Sequence, residues 1–254
     1  MLTVNAASGF GSGGGGAVYA CDAVVFDGAA GSNDSGKISG SFSGSPADTK
    51  FVTISFWYKS NQDGTDNQRL FSHSSGGHGF FSKMSSDDKW EMEFYNNANS
   101  SIFKVFSSSA WLVADGWTHF FFWYNSSTPA WALFKDGVDD KGTQSTFTAD
   151  ALPDWSRNQE VFGAYQSTTS DPLAADIADF YMTNELVTDI TNFAVNGKPV
   201  DLGSDGSLPS GTSPVVFLHV DVGETANNFL TNAGTGGDYV VGGALATASS
   251  SPTD

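Results

Sequence analysis

Short apolar stretches rich in aromatic and β-branched residues recur along the chain, and polar turn-forming residues separate them. Residues 51–59 interleave Phe, Val, Ile, Trp and Tyr with Thr and Ser, and a polar cluster follows at 61–64. This pattern is typical of a β-strand that ends in a turn. It also predicts strands at residues 17–26, 69–73, 79–83, 89–95, 102–106, 118–124, 130–135, 145–148, 160–165, 175–182 and 214–220. Roughly a dozen strands at this spacing predict an all-β antiparallel sandwich or jelly roll.

Two local signals refine this prediction. Asp136-Gly137 separates an apolar stretch from Val138 and predicts a tight hairpin, because both turn residues tolerate positive φ. Residues 188–194 form a short helix candidate, with Thr188 as its cap. The fold class is therefore all-β, with at most one or two short helices.

The chain divides into three stretches by composition. Residues 1–16 end in a glycine-rich run with few side chains to pack, which predicts an N-terminal arm or tether. Residues 17–195 carry most of the strand pattern and are predicted to form the jelly roll. Residues 196–254 are rich in turns, and we expect them to add closing strands and a tail that pack on the same domain.

Composition and charge exclude several classes of protein. Charged residues make up only 15% of the chain and aromatic residues 14%, which disfavours a helical bundle. The net charge of −17 argues against a nucleic-acid partner, since such a partner needs a basic surface. No apolar run is long enough to predict membrane insertion. Cys21 is the single cysteine and is expected in the core, and no secretory signal is visible, so we expect folding in a reducing cytosol.

Three segments, in this order and spacing, resemble laminin-G-like, concanavalin A-like jelly rolls. Residues 51–59 resemble the family's FTISFWVK strand, and residues 116–120 with 131–138 resemble its W-x-H strand and the hairpin that ends in Asp-Gly. Residues 176–186 resemble its closing strand. The resemblance covers about residues 22–190 and implies a sandwich of two antiparallel sheets. The acidic calcium ligands of the family have no clear counterpart in this chain.

Short motifs near the C-terminus resemble a section of tailed-phage proteins that carry a concanavalin A-like domain. These motifs lie at residues 197–203, 205–207, 212–214, 232–239 and 251–252. The resemblance implies a protein of the virion surface that is assembled in the host cytoplasm, in capsid decoration or tail attachment. Its partners would be other copies of itself and capsid or tail proteins.

The tryptophans supply candidate sugar-binding residues. An exposed indole offers a flat apolar face on which a sugar ring can stack. Trp90, Trp111 and Trp155 stand near polar or turn residues and are the predicted carbohydrate-binding residues. The other three considered, Trp57, Trp123 and Trp131, lie inside predicted strands, and we expect them in the core.

Acidic residues supply candidates for a metal site and for catalysis. Asp63 and Asp66 place oxygen ligands at the short spacing that Ca²⁺ requires, but the later Glu of an EF-hand loop is missing, so a solvated turn explains them better. No other cofactor is predicted. Glu91 and Glu93 are predicted on one face of a strand. They resemble part of the E-x-D-x-x-E signature of laminarinase-type glycosidases, but Asn96 stands where the last acid belongs. No catalytic residue is therefore assigned.

Three functions remain open at this point. The first is a non-enzymatic virion surface protein that binds host-surface glycans weakly. The alternative is a soluble, lectin-like carbohydrate-binding module that acts through exposed aromatic residues. The third is a laminarinase-like glycosidase, which the broken acid signature disfavours.

Overall fold

The structure is a computed structural model that describes residues 19–29, 34–38, 40–64, 67–73, 81–84, 87–157, 160–165 and 171–254. The predicted arm at residues 1–16 lies outside the described residues. The described residues form eighteen strands: β1 Val24–Asp27, β2 Gly36–Ile38, β3 Phe51–Ser60, β4 Gln68–His73, β5 Phe81–Met84, β6 Trp90–Tyr95, β7 Ser101–Ser107, β8 Thr118–Asn125, β9 Ala130–Lys135, β10 Val138–Asp139, β11 Lys141–Phe147, β12 Glu160–Phe162, β13 Ala174–Thr183, β14 Ala194–Val195, β15 Lys198–Pro199, β16 Val216–Leu218, β17 Val240–Val241 and β18 Ala246–Thr247.

Most of these strands belong to two antiparallel sheets. Sheet A has the order β10-β9-β8-β3-β13-β1-β18, and β16 also pairs with β13. Sheet B has the order β11-β7-β6-β5-β4-β12-β2-β17. The hairpin β14–β15 forms a separate two-stranded sheet. This architecture confirms the predicted all-β sandwich of two antiparallel sheets.

The core lies between the two sheets and is built from alternate residues of each strand. In β6, Trp90, Met92 and Phe94 face this core, whereas Glu91 and Glu93 point to the other side of sheet B. The ring centroids of Phe56 and Trp90 lie 5.3 Å apart, which joins β3 of sheet A to β6 of sheet B. The alternation visible in the sequence therefore sets which sheet face each residue occupies.

The outer face of sheet A, which points away from sheet B, is also buried. Phe193 and Leu202 pack on it against Phe121 and Tyr181, and the centroids of Phe121 and Phe193 are 5.3 Å apart. The covering segment comes from residues beyond β13, which also contribute β16 and β18 to sheet A and β17 to sheet B. We call residues 184–254 the C-terminal cover.

Strand β13 contains an irregular step within this face. It pairs with β1 at residues 174–177 and with β16 at residues 180–182, on the same edge. Asp179 falls between these two pairings and has φ 47°, a left-handed conformation that is uncommon outside glycine. The register to β3 shifts at the same place, as expected for a β-bulge.

The structure corrects several local predictions. The strands exceed the predicted dozen because two- and three-residue strands such as β10 and β17 are too short to show a period. The described residues include three 3-10 helices, Val113–Asp115, Ile190–Asn192 and Ala226–Leu230, rather than one or two. The cap of the predicted helix is Asp189 and not Thr188, since its carboxylate accepts the Thr191 N–H.

The predicted tight hairpin and the helix lengths can both be read from the described residues. The Asp136-Gly137 hairpin is confirmed: it joins β9 to β10, with φ 51° and 78° at the two turn residues. None of the helices in the described part of the chain is both long and apolar enough to cross a membrane.

Candidate functional site

The three tryptophans predicted to bind sugar are core residues in the structure. Trp90 and Trp111 are each 1% exposed and Trp155 is 0% exposed. The Trp111 Nε1–H donates to the buried Asp140 carboxylate at 3.1 Å. The prediction of exposed indoles at these positions is wrong, because the neighbouring turn residues lie at the surface while the indoles point between the sheets.

Trp131, which the sequence placed in the core, lies half-buried at the open edge of the sandwich. It lines a cleft of about 510 Å³ between β9 of sheet A and β11 of sheet B. The other lining residues are Pro129, Ala130, Lys141, Gln144, Phe147 and Ala149. The expectation for Trp57 is confirmed at 3% exposed, whereas Trp123 is half-buried against the C-terminal cover.

The position of Trp131 follows from strand alternation and from the edge of the sheet. On β9, Trp131 and Leu133 face sheet B, but only Leu133 is enclosed by the core. The Trp131 ring stands at 75° to Phe103 of β7, with centroids 5.9 Å apart. Because β11 is the edge strand of sheet B, no further strand in the described part of the chain extends that sheet over the cleft. The indole is thus anchored on one side and open to the cleft on the other.

Gln144 is aimed at Trp131 by an irregular strand. The register between β11 and β7 shifts on both sides of Gln144, and such irregularities redirect side chains. The Trp131 Nε1–H donates to Gln144 Oε1 at 2.5 Å, which fixes the indole plane and leaves the Gln144 amide nitrogen as a donor. The exposed Lys141 Nζ lies 5.8 Å from the Trp131 ring centroid and 3.5 Å from Asp139 Oδ2. The cleft therefore combines a flat apolar face with polar donors at its rim.

Glu91 and Glu93 lie on one face of sheet B, as predicted. Lys104 of β7 sits between them, with its Nζ 3.4 Å from Glu91 Oε1 and 3.2 Å from Glu93 Oε2. Burial opposes the charge of Lys104, but the two carboxylates outweigh it and raise the pKa of the ammonium. Asn96 Oδ1 accepts the backbone N–H groups of a local turn. The pair is thus held as an ion cluster, a geometry that differs from a proton donor facing a nucleophile across a cleft.

The predicted metal residues are only partly described. The Asp63 carboxylate accepts the Val113 N–H at 2.6 Å, and Asp66 lies outside the described residues. Within the described ranges, no group of three or more His, Cys, Asp or Glu side chains is arranged to hold a metal ion. Calcium at this loop stays a prediction.

Comparison with known proteins identifies the family. A sequence profile described as the Concanavalin A-like lectin/glucanases superfamily matches residues 31–191, more than half of the chain. The chain belongs to this superfamily. No curated protein sequence matches it.

Solved structures extend this comparison at the level of the superfamily's fold. A candidate carbohydrate binding protein from Bacteroides ovatus is 14% identical, with a TM-score of 0.56 over 81% of this chain and 53% of that one. A native heptameric SAP-like pentraxin from Limulus polyphemus is 13% identical, with a TM-score of 0.48 over 66% of this chain and 78% of that one. The binding domain of Botulinum Neurotoxin DC in complex with SialylT is 15% identical, with a TM-score of 0.41 over 55% and 33%. The chain thus spans about half of the bacterial protein and a third of the toxin chain.

The position of Trp131 on an apolar strand at the edge of the sandwich explains why the sequence did not predict the cleft. A tryptophan inside an apolar strand normally packs in the core, as Tyr124 of β8 and Leu133 of β9 do beside Trp131. The sequence feature that could have indicated the cleft is the polar stretch after the hairpin, which contains Lys141 and Gln144. A polar edge strand cannot fully bury an indole that faces it. Only the pairing of β11 with β7 reveals that the two stretches meet.

Proposed function

We propose that this protein is a non-enzymatic, lectin-like carbohydrate-binding protein and that the Trp131 cleft holds the sugar. The observation that carries this proposal is the half-buried indole that opens into a cleft of about 510 Å³, with Gln144 and Lys141 beside it. A pyranose ring has an apolar face of C–H groups and an equatorial rim of hydroxyls. Stacking on Trp131 matches the first, and hydrogen bonds to Gln144 and Lys141 match the second.

The electrostatics of the cleft favour a neutral or weakly acidic glycan. Lys141 is the charged residue of the lining, and Asp139 partly offsets it at 3.5 Å. An open cleft with exposed polar groups remains hydrated, so each contact replaces water and gives modest affinity. We therefore expect weak individual sites, with strong attachment arising from several copies acting together.

The fold supports the same proposal. The Bacteroides ovatus protein, with a TM-score of 0.56, bears a name that refers to carbohydrate binding. At 14% identity, this similarity supports the fold but not the position of a binding site. The assignment of the site therefore depends on the residues of the cleft itself.

A glycan array followed by titration calorimetry tests the site. We expect wild-type protein to bind at least one glycan, and Trp131→Ala to lose tenfold or more in affinity, about 1.4 kcal/mol. Trp117→Ala is a matched control, because Trp117 is also half-buried, donates its Nε1–H to Ser250 Oγ and has Lys59 Nζ 5.9 Å from its ring. Unchanged binding by Trp131→Ala, or an equal loss in both variants, contradicts the proposed site.

The rim residue Lys141 has its own control. Lys141→Ala should weaken glycan binding by a smaller factor than Trp131→Ala, because an exposed ammonium adds little net energy. Lys89 pairs with Asp87 at 4.0 Å and does not line the cleft. The Lys89→Ala variant should therefore bind glycan like wild type. Glycan affinity that falls equally in both lysine variants points to a general charge effect instead.

We also propose that the protein acts on the surface of a phage virion. Support comes from the resemblance of the motifs between residues 197 and 252 to a section of tailed-phage proteins. Its partners are then other copies and capsid or tail proteins, and display in many copies supplies the avidity. Mass spectrometry of purified particles should detect the protein in several copies per virion. Its absence from purified particles rejects this role and favours a soluble lectin.

The glycosidase alternative has a direct test. Because Lys104 bridges Glu91 and Glu93, we expect no release of reducing sugar from a panel of β-glucans and alginate. Reproducible hydrolysis that Glu93→Gln abolishes establishes the enzyme and overturns the non-enzymatic assignment.

A further inference from the structure

A second cavity, of about 280 Å³, lies between the outer face of sheet A and the C-terminal cover. Trp57 and His119 form its floor, where they face each other across the pairing of β3 with β8. Ile190 and Ala194 of the cover form an apolar wall. The cavity is independent of the Trp131 cleft, which lies at the open edge between the sheets.

Two tight turns flank the mouth of this cavity. One is Asp136-Gly137 of the β9–β10 hairpin, and the other is Asn196-Gly197 of the β14–β15 hairpin. All four residues have positive φ, between 51° and 78°. A Cβ atom added at either glycine would meet no atom of the described residues within 4 Å, so the tips of both turns stand in open space. The mouth is therefore accessible.

His119 contributes a buried polar atom without a partner. Its side chain is 1% exposed, and its Nε2 lies 2.8 Å from Ser55 Oγ. Its Nδ1 is buried and has no hydrogen-bond partner among the residues that the structure describes. Buried polar atoms are usually paired, and because the His119 ring lines the cavity, a ligand group inside it can supply the partner. Burial lowers the pKa of His119 to about 3, so the ring is neutral at physiological pH.

The charge of the lining selects the ligand. Asp136 contributes a carboxylate to the lining of the cavity, and the described lining residues include no lysine or arginine. Asp136 Oδ1 accepts the His119 backbone N–H at 2.7 Å, which fixes the carboxylate next to the histidine. The Trp57 and His119 rings lie 4.9 Å apart and present aromatic surface to the cavity. Carboxylate and indole both favour a cation over an anion.

We propose that this cavity binds a small organic amine, whose apolar body packs against Trp57 and Ile190 and whose ammonium group donates to His119 Nδ1 and Asp136. Donation to Nδ1 requires the imidazole proton on Nε2, where Ser55 Oγ accepts it. Binding therefore fixes one tautomer of His119. A ligand with the same body and a carboxylate in place of the amine would meet the Asp136 charge.

Three probes with one apolar body test this assignment. Full-length protein labelled with ¹⁵N is titrated with benzylamine, benzyl alcohol and benzoate, while the Trp57 and His119 ring signals are followed by NMR. We expect benzylamine to bind at least tenfold more tightly than benzyl alcohol and benzoate to leave these signals unchanged. The ¹⁵N shifts of His119 should move to the tautomer protonated at Nε2.

Two variants keep the proposal falsifiable. Asp136→Asn retains an oxygen for the His119 N–H and tolerates positive φ, so it should fold and lose the preference for benzylamine. Asp87→Asn, an exposed aspartate paired with Lys89, should keep that preference. Equal binding of the three probes, no change at His119 up to about 10 mM ligand, or full benzylamine binding by Asp136→Asn overturns the proposal. Glycan binding at the Trp131 cleft is read separately and does not affect this result.

Discussion

The two faces of sheet A are both buried, yet they contain different chemistry. The face toward sheet B is packed with aromatic and aliphatic side chains, such as Phe56 and Phe120, with ring centroids 4.5 Å apart. The face toward the C-terminal cover holds polar pairs among its apolar residues. Ser55 lies against His119, and Tyr19 against Asp179. Neighbouring residues of one strand therefore differ in role: those on the inner face pack in the core, and some of those on the outer face form polar contacts.

This difference follows from what covers each face. The strands of sheet B pair their backbone groups with one another, so the side chains that pack between the two sheets are mostly apolar. The C-terminal cover consists of turns, short strands and 3-10 helices, which leave cavities beside the sheet. Polar groups there can reach one another or a ligand. A strand face covered by irregular chain is consequently the place to search for sites in this fold.

Sheet B carries a buried acid as well. Glu160 of β12 is 0% exposed, and burial, strengthened by Asp154, raises the pKa of its carboxyl well above the usual range. It lies near Tyr239, where the C-terminal cover closes the end of the sandwich. Glu160 belongs to sheet B, but it too is a buried polar group that lies where the C-terminal cover meets a sheet.

The comparison is tested most strongly by substituting neighbours on opposite faces of β8. Phe120 contacts Phe56, Trp90 and Trp111 in the core, whereas Phe121 contacts Phe134 and Phe193 under the cover. Phe120→Ala should lower the free energy of unfolding by about 3–5 kcal/mol, because it leaves a cavity between packed sheets. Urea denaturation measures this loss.

Phe121→Ala provides the matched comparison. We expect it to cost less globally and to increase hydrogen exchange in residues 187–204, because the cover can open locally while the sandwich stays folded. Equal global losses, without local exchange under the cover, contradict the distinction between the two faces.

A second prediction concerns Asp179. Burial, which outweighs the hydrogen bond from Tyr19, raises the pKa of this carboxyl to about 7. The folded state then holds a proton that the unfolded state has released, so the contribution of Asp179 to stability should fall as pH rises from about 4 to about 7. Because His119 adds the opposite slope below about pH 6.5, this contribution is read as the difference in stability between wild type and Asp179→Asn. The full effect is about 4 kcal/mol, at 1.36 kcal/mol per pKa unit. Asp179→Asn should remove this slope, and thermal unfolding across this pH range measures it.

Asp179→Asn also keeps the bulge, since asparagine accepts positive φ. Asp201→Asn serves as the control, because Asp201 is an exposed carboxylate of the C-terminal cover. An unchanged pH slope in Asp179→Asn shows that Asp179 stays ionised in the folded protein.

The smallest predicted effect belongs to His119. Its pKa, lowered by burial to about 3, means that the unfolded chain takes up a proton below about pH 6.5 while the folded chain does not. Stability should therefore fall as pH drops, by about 2 kcal/mol at pH 5. In the Asp179→Asn background, His119→Gln should flatten this acid slope. NMR titration that shows His119 protonating near pH 6 contradicts the buried, neutral imidazole.

Sequence periodicity was sufficient for the secondary structure of the central strands. Residues 51–59 and 118–124 were predicted within one residue of β3 and β8, because long runs of aromatic and β-branched residues allow few alternatives. The Asp136-Gly137 turn and the shared face of Glu91 and Glu93 followed from local backbone geometry alone. Each of these features depends on residues that are close together in the chain.

Tertiary structure alone decided which aromatic residues meet solvent. Trp90, Trp111 and Trp155 have polar neighbours in sequence but are enclosed in the core cluster, whereas Trp131 has apolar neighbours but lies at a sheet edge. Exposure depends on which strands end a sheet and on what packs across from them, and both are set by pairings between distant residues. The same reason hid the cavity over His119, whose wall at Ile190 and Ala194 lies about seventy residues beyond His119 and about 130 beyond Trp57 in the chain.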